Sequence, residues 1–409
     1  MTLRSEMIAA VGADHVLDEI GDRPGLRVTP GSAAEVAEVL RRAGSVGAAV
    51  HPVGAGGRPS RPDRTSEDRP RVFISTARLD QVLQLDEQSL LVHAQVGITG
   101  LELERILAPR GLSIGDYPPV VLTSSLGGII SVRTPGKSSA RHGFFEEAVA
   151  GVSAVLADGR TVHTRVAPRR STGPDLARAL CGSEGTIGFI TSAVLRIHYK
   201  PEARLVAAYL LPSIDAATNA IYLALREEAA PSGLRIYDAI ETARHFAGLG
   251  LAPGQVLLCA GTAGPTDLAA CDRDLITSAV IAEGGQVTDS AYADLWWRRL
   301  HMGEHTPASA PTLQIMGTPT KLPVVYHAVM AEAQRLGITA SAHISRFDPD
   351  GGLVFVSLDD GADQSAIERA AEAVGGWPLG ARATKLDGYL RVLRAELDPR
   401  GIMNPGTLA

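Results

Sequence analysis

The amino-acid sequence predicts an α+β protein built from two domains. Its 409 residues exceed the size at which one hydrophobic core stops growing, so a second domain is expected. Hydrophobic residues make up 45% of the chain and charged residues 21%, which is typical of a globular protein. Apolar residues recur with the spacing of strands and of helices in alternation along much of the chain, and this alternation favours the α+β class.

The first part of the chain alternates helices with short strands. The spacing predicts a helix over Ser5–Val16 and another over Ser32–Ala43, which Ser32 opens as an N-cap. The charged segment Arg61–Arg71 contains proline and has no period, so it predicts an exposed loop. The remaining elements are strands Leu26–Val28, Gly47–Pro52, Val72–Ser75, Val82–Asp86 and Leu90–Gln95, and a helix Gly100–Ala108.

A second part begins near Lys200-Pro201. Before it, Ala148–Ile197 predicts a strand, a hairpin, a strand, a helix and a strand, with Asp158-Gly159 supplying the tight turn. After it, strands and helices alternate, and the chain closes with a helix Lys385–Leu397 and a turn at 398–401. The predicted strands are Leu205–Leu211, Gly233–Tyr237, Val256–Gly261, Thr312–Gly317, Ala340–Ser345 and Gly352–Ser357, and the predicted helices are Ile214–Glu228, Thr266–Glu283, Leu322–Leu336 and Asp363–Ala373.

Charge and composition exclude several classes of function. The net charge is −6 and the pI is near 6.0, so the chain has no basic surplus for nucleic-acid phosphates. The cysteines Cys181, Cys259 and Cys271 have neither a metal-ligand spacing nor a disulfide pattern, and no metal is expected. No apolar run is long enough to span a membrane, and the N-terminus lacks a signal-peptide core. A cytoplasmic protein is therefore expected.

Three glycine-rich segments carry the functional signal. Gly54, Gly56 and Gly57 follow a strand, and closely spaced glycines let backbone N–H groups point into one concavity that suits a phosphate. Alone, this loop fits a surface turn as well. Ser124–Gly128 and Gly182–Ile190 repeat the pattern of small and hydroxylated residues. Three such segments in one half of the chain favour one long, phosphate-containing ligand.

The order of these segments resembles the FAD-binding domain of the vanillyl-alcohol-oxidase-type oxidoreductases. That family includes bacterial D-lactate and glycolate oxidase subunits and alkyldihydroxyacetonephosphate synthase. Pro52–Gly57 resembles the first phosphate loop of the family, Ser124–Thr134 resembles the second, and Gly173–Gly188 is the most specific match. Leu397–Gly406 resembles the C-terminal return to the flavin domain. The resemblance implies a two-part FAD-binding domain over residues 1–200, an α+β substrate cap over residues 201–380 and a return over residues 381–409.

The same resemblance implies the residues that contact FAD. Gly54, Gly56 and Gly57 would cradle the pyrophosphate. Arg58-Pro59 stands where many covalently flavinylated relatives carry a histidine, so the FAD should be noncovalent. The second segment would contribute Ser125, Gly127, Gly128, Ser131, Arg133 and Thr134, and the third Glu184, Gly185, Thr186, Gly188 and Ile190.

The second half offers candidates for substrate chemistry. A flavin oxidises an alcohol when a base takes the hydroxyl proton, and an anionic substrate needs a cation to hold it. His343 is the candidate base, with Arg235 and Arg299 as the candidate cations. Each also fits a strand-end or helix residue with a satisfied partner. Arg298 and Arg346 are further candidates, and Trp296-Trp297 favours core or interface packing.

The catalytic half departs from the synthase branch. That branch carries consecutive histidines shortly before the last helix, whereas Val374–Lys385 contains none. It also carries a histidine where this chain has Arg346, and a tyrosine on the next strand where this chain has Val354 and Phe355. These differences argue against ordinary synthase chemistry.

Three functions remain in competition. The first is an FAD-dependent oxidase or dehydrogenase that oxidises a small hydroxylated, anionic substrate such as a 2-hydroxy acid by hydride transfer to the flavin. The second is a flavin-binding subunit whose active site has eroded and which serves assembly or binding. The third is a transferase like alkyldihydroxyacetonephosphate synthase. The sequence leaves open a homodimer and an electron-accepting partner protein.

Overall fold

The chain folds into two compact units. The computed structural model describes residues 2–19, 24–55, 69–115, 122–133, 139–143, 145–166, 175–246, 254–302, 312–359, 363–379 and 388–407. The first unit comprises Met1–Gly136, Gly143–Tyr199 and Thr384–Ala409, and the second comprises Lys137–His142 and Lys200–Ala383. The α+β class and the two-part arrangement predicted from the sequence are confirmed.

The first unit begins with a four-stranded sheet of order β1-β2-β4-β3. Helix α2 forms because Ser32 caps its first turn by accepting from the Glu35 N–H, and because its apolar positions share one face. Val36 and Leu40 on that face are fully buried against the sheet. The elements are α1 (Leu3–Val11), β1 (Val16–Glu19), β2 (Gly25–Val28), α2 (Ala33–Ser45), β3 (Ala49–Val53) and β4 (Arg71–Ser75).

A five-stranded antiparallel sheet, β5-β6-β10-β8-β9, forms the second layer of this unit. The turn Asp158-Gly159 joins β8 to β9 as expected, with Gly159 at φ 83°. Helix α3 starts with a capping box between Thr99 and Glu102. The elements are β5 (Val82–Asp86), β6 (Leu91–Gln95), α3 (Gly100–Leu107), β7 (Leu112–Ser113), α4 (Leu126–Ser131), α5 (Ser139–His142), α6 (Phe145–Ala148), β8 (Val149–Val155), β9 (Thr161–His163), α7 (Leu176–Leu180), β10 (Phe189–Arg196) and β11 (His198–Tyr199).

The second unit is built on an eight-stranded sheet of order β15-β12-β14-β13-β17-β18-β16-β19, and α5 belongs to this unit. One face packs against helices α8, α10, α12 and α13, and part of the other face packs against α9 and α11. The strands are β12 (Ala203–Leu211), β13 (Pro231–Tyr237), β14 (Val256–Gly264), β15 (Gln286–Val287), β16 (Thr312–Gly317), β17 (Ala340–Asp348), β18 (Gly351–Leu358) and β19 (Trp377–Leu379). The helices are α8 (Ile214–Arg226), α9 (Ala239–Phe246), α10 (Thr266–Ala282), α11 (Ser290–Met302), α12 (Leu322–Arg335) and α13 (Gln364–Ala373).

The last helix, α14 (Gly388–Leu397), returns the chain to the first unit. The segment that follows it pairs with the first sheet, because Val50 of β3 forms a β-bridge with Met403. The first sheet and the end of the chain therefore share one hydrogen-bonded layer.

The predicted elements differ from the structure in three respects. The helix predicted over Ser5–Val16 ends at Val11, because Gly12 adopts φ 87° and Val16 already begins β1. Helices α9 and α11 were not predicted. Residues 56–68, which hold most of the predicted loop, lie outside the described residues, and Arg71 belongs to β4.

Candidate active site

The three glycine-rich segments converge on one cavity in the first unit. The cavity has a volume of about 280 Å³ and opens between the end of β3, the start of α4 and the loop before β10. The predicted cofactor-binding residues that line it are Gly54, Ser125, Gly127, Gly128, Ser131, Glu184, Gly185, Gly188 and Ile190.

Close packing of these segments leaves little room for a side chain at three of the lining positions. A Cβ at Gly54 would overlap the Ser125 hydroxyl, and a Cβ at Gly127 would lie 3.0 Å from the Val96 Cβ. A Cβ at Gly185 would lie 2.7 Å from the Pro52 ring, and Gly185 also has φ 74°, which L side chains rarely adopt. Backbone and small hydroxyl groups therefore form much of the cavity wall.

Two predicted cofactor residues support the third segment instead of lining the cavity. Arg133 donates from Nε to the Cys181 carbonyl at 3.0 Å, and from its terminal nitrogen to the Arg178 carbonyl at 3.3 Å. Thr186 donates its hydroxyl to the Ser183 carbonyl at 2.7 Å and is 1% exposed. Contact of either residue with a cofactor stays a prediction. Gly56, Gly57 and Thr134 lie outside the described residues.

The structure adds Asn404 to the cavity wall. Its side chain bonds to His51 of β3 and to the Glu184 carbonyl of the third segment, and it is 3% exposed. The run Asn404-Pro405-Gly406 was part of the sequence resemblance, but an isolated asparagine in a turn does not indicate which loops it joins. Thr76 and Val96 also line the cavity and had no sequence signal.

A second polar cluster lies on the sheet of the second unit. In the pairing of β13 with β17, Tyr237 lies opposite His343, so their side chains share one face of the sheet. His343 Nδ1 lies 2.8 Å from the Glu241 carboxylate of α9. The imidazole also stacks on Phe355 of β18, with ring centroids 4.8 Å apart and planes inclined by 9°.

The electrostatics of this cluster keep His343 neutral at pH 7. Burial, together with the positive charge of Arg235, lowers the pKa of His343 to about 4, although Glu241 acts in the opposite direction. Burial would raise the pKa of Glu241, but the hydrogen bond from His343 and nearby positive charges lower it. Glu241 is therefore ionised and accepts from Nδ1–H, which leaves the lone pair of Nε2 available. The His343 side chain is 16% exposed, and Nε2 has no hydrogen bond within the described residues.

Arg235 is a half-buried cation without a carboxylate partner. Its guanidinium approaches the Tyr237 hydroxyl at 3.4 Å and lies 5.7 Å from the Tyr237 ring centroid. Its Nε is buried without a hydrogen-bond partner, and no carboxylate of the described chain lies within ion-pair distance of it. Burial raises the pKa of Tyr237 to about 12. The sequence had not singled out Tyr237 or Glu241.

The other predicted residues are placed differently. Arg299 donates to the His245 carbonyl and lies over the Phe246 ring, so it contacts the end of α9. Its catalytic role stays a prediction, and the side chain of Arg346 lies outside the described residues. Trp296 is 1% exposed and packs in the core, as predicted. Trp297 lies under the guanidinium of Arg204.

The described residues contain neither a metal-ion site nor a membrane-spanning helix. His, Cys, Asp and Glu side chains in the described part of the chain do not form a group of three that could hold a metal ion. Across the same residues, no helix combines the length and the apolar character needed to cross a lipid bilayer.

Comparisons with known proteins agree with both parts of the structure. Residues 24–165 match the FAD binding domain, and residues 200–390 match the C-terminal domain of FAD linked oxidases. The chain therefore belongs to the FAD-linked oxidoreductases of the vanillyl-alcohol-oxidase and p-cresol-methylhydroxylase type, and it is a flavoprotein that binds FAD. The glycine-lined cavity fits this cofactor, because its wall is made of backbone and hydroxyl groups at the predicted positions.

The similar proteins include both a synthase and an oxidase subunit. Alkyldihydroxyacetonephosphate synthase of Caenorhabditis elegans is 31% identical over 53% of this chain and 36% of its own length. Glycolate oxidase subunit GlcD of Bacillus subtilis is 24% identical over 81% of this chain and 77% of its own. A solved alkyldihydroxyacetonephosphate synthase shares the fold, with a TM-score of 0.77 and 23% identity over 98% of this chain and 85% of that one. The match to the worm synthase thus spans little more than a third of that relative.

Proposed function

We propose that this protein oxidises a small hydroxylated anion, in the manner of a 2-hydroxy-acid oxidase or dehydrogenase, with noncovalent FAD as the electron acceptor. The observation that carries the proposal is the cluster of His343, Glu241 and Arg235. It combines a neutral imidazole, an ionised carboxylate that orients it and a cation without a counter-ion. The name of the relative GlcD, a glycolate oxidase subunit, supports a 2-hydroxy acid as substrate.

His343 is the proposed proton acceptor. Because Glu241 fixes the tautomer in which Nδ1 carries hydrogen, Nε2 presents its lone pair to a substrate hydroxyl. Phe355 stacks on the ring and restricts its rotation. After proton transfer the imidazolium would be stabilised by the adjacent Glu241 carboxylate.

Arg235 is the proposed anchor for the substrate anion. A guanidinium that is half-buried and lacks an ion pair gains a charge-assisted hydrogen bond when a carboxylate or phosphate binds. The ring and the hydroxyl of Tyr237 both lie against the guanidinium. FAD, when bound, would take the hydride that leaves the substrate carbon, and oxygen or a separate acceptor would then reoxidise it.

The test is an anaerobic mixing experiment with the FAD-loaded protein. Glycolate, D-lactate and L-lactate are added in turn, and the visible absorbance of oxidised flavin is followed. We expect one of these acids to bleach the flavin. Arg235→Ala should raise the substrate concentration for half-maximal bleaching by about 10- to 100-fold, because a charge-assisted hydrogen bond contributes about 1.5–3 kcal/mol. Arg235→Lys should recover part of the affinity.

Three results would contradict the proposal. Bleaching that is unchanged in Arg235→Ala would remove this residue from the substrate site. Failure of all hydroxy acids to bleach a fully loaded flavin would favour the flavin-binding subunit with an eroded site. An alkylated product formed without net bleaching would instead favour chemistry like that of alkyldihydroxyacetonephosphate synthase, the name that the worm relative carries.

A cytoplasmic location is part of the same proposal. All three cysteines are free in the structure, and Cys181 and Cys259 are buried. Free thiols are typical of reducing compartments.

A further inference from the structure

Asn404 joins two separate segments of the FAD cavity with one side-chain amide. Its Oδ1 lies 3.0 Å from Nδ1 of His51, on β3 just before the first glycine segment. Its Nδ2 donates to the Glu184 carbonyl of the third segment at 2.6 Å. Its backbone N–H donates to the Val50 carbonyl at 2.7 Å. Asn404, which lies 220 positions after Glu184 in the chain, therefore connects both walls of the cavity.

The backbone at both ends of the 2.6 Å bond is unusual. Asn404 has φ 41° and Glu184 has φ 49°, and both lie in the left-handed region that residues with a Cβ rarely adopt. Such conformations persist where surrounding contacts enforce them, and they cluster at ligand sites. The Asn404 amide holds the Glu184 carbonyl directly before Gly185, where an added Cβ would lie 2.7 Å from the Pro52 ring of the first segment.

The segment that carries Asn404 has its own anchors. The Asp398 carboxylate accepts from the N–H groups of Ile402 at 3.0 Å and Met403 at 2.8 Å. Arg69 donates to the carbonyls of Gly401 and Arg400 at 3.0 and 3.2 Å. These contacts do not involve the Asn404 side chain, so a substitution there should leave the segment folded.

We propose that Asn404 is a positioning residue for FAD, and that its side-chain amide keeps the first and third segments at the separation that admits the cofactor. The amide acts on the cavity walls, and the left-handed backbone alone does not suffice. Truncation of the side chain thus lowers FAD affinity, whatever residue replaces it.

The test compares FAD affinity in four variants, measured by titrating the apoprotein with FAD and following flavin fluorescence. Asn404→Ala and Asn404→Gly should both raise the dissociation constant by about 10- to 100-fold, because two buried hydrogen bonds are lost. Asn404→Asp should lose at least as much, since a carboxylate oxygen would face the Glu184 carbonyl oxygen. Asn219→Ala, a change of the exposed asparagine in α8, is the matched control and should bind as the wild type does.

Glycine separates the amide from the backbone conformation. Glycine adopts positive φ without strain, so Asn404→Gly would retain affinity if the left-handed conformation were the only requirement. Wild-type affinity in Asn404→Gly, or in Asn404→Ala, would overturn the proposal. Thermal unfolding of each apoprotein shows whether the variant folds.

Hydrogen exchange in the unaltered protein tests the role of Asn404 without any substitution. Because coupling between two sites is reciprocal, FAD should slow amide hydrogen exchange in the peptide that contains Asp398–Thr407 as well as in that containing Gly182–Ile190. If FAD slowed exchange in the peptide with Gly182–Ile190 but not in the peptide with Asp398–Thr407, Asn404 would not respond to FAD.

Discussion

His343 carries no positive charge at pH 7, although the Glu241 carboxylate lies against its Nδ1 atom. Burial and the charge of Arg235 outweigh that carboxylate, so the pKa falls from its ordinary value of 6.5 to about 4. The proposed base is therefore unprotonated over the physiological range. An ordinary surface histidine, in contrast, would be partly protonated just below pH 7 and could then no longer accept a proton.

The lowered pKa of His343 makes stability depend on pH. The unfolded chain takes up a proton near pH 6.5 and the folded protein only near 4, so stability is fully present above pH 6.5 and is lost as the pH falls towards 4. We expect this residue alone to lower the free energy of unfolding by roughly 2 kcal/mol between pH 7 and pH 5. His343→Gln should abolish that decline in urea titrations, whereas His327→Gln, at a half-exposed position, should preserve it. Equal declines in the wild type and in His343→Gln would contradict the assignment.

At the scale of elements, helix α9 depends on one buried carboxylate. Asp238 is 1% exposed, and its two oxygens accept from the N–H of Glu241 at 2.8 Å and of Ala342 at 2.6 Å. It thereby fixes the first turn of α9 to β17, and this places Glu241 beside His343. Burial raises the pKa of Asp238 to about 6, although these hydrogen bonds oppose the change.

Asp238→Ala should be far more costly than loss of an ordinary helix cap. Two buried N–H groups would lose their acceptor, so we expect the free energy of unfolding to fall by roughly 2–4 kcal/mol at pH 7. Asp363→Ala is the matched control, because Asp363 is exposed and caps α13 through one N–H, and it should cost about 1 kcal/mol. Urea unfolding of both variants measures the difference. Similar losses would mean that Asp238 acts only as a cap.

The sequence predicts those elements whose stabilising contacts are local. Helices α2 and α8 have a serine N-cap and an apolar stripe within their own residues, and both were predicted. Helix α9 has only 8 residues, and Asp238 caps it locally through the Glu241 N–H. Its link to β17 joins Asp238 to Ala342, 104 positions away, and no window of sequence reveals that link. Helix α11, which is rich in aromatic residues, was also not predicted.

The candidate site divides along the same line. Glycine segments are visible in sequence because each carries its own conformational requirement, and nine of the predicted residues line the cavity. Glu241 and Asn404 were not singled out, because their roles depend on residues 102 and 220 positions away. Only the fold brings such partners together. A local pattern cannot distinguish a carboxylate that orients a histidine from one on a solvated helix face.

At the scale of the whole molecule, each unit contains its own reporter of unfolding. The described residues that line the proposed FAD cavity belong to the first unit. The three tryptophans of the chain, Trp296, Trp297 and Trp377, all belong to the second. Hydrogen exchange in β6 and β10 therefore follows the first unit, and tryptophan fluorescence follows the second.

FAD should stabilise the two units unequally. A ligand that binds only the folded state, at a concentration 100 times its dissociation constant, adds about 2.7 kcal/mol to the free energy of unfolding of the unit that binds it. We expect FAD to raise the urea concentration at which the first unit loses its exchange protection, and to move the tryptophan midpoint by less. Adding AMP in place of FAD controls for general nucleotide effects. Equal shifts in both probes would show that the two units unfold as one cooperative structure, so that cofactor binding in the first unit also stabilises the cluster around His343.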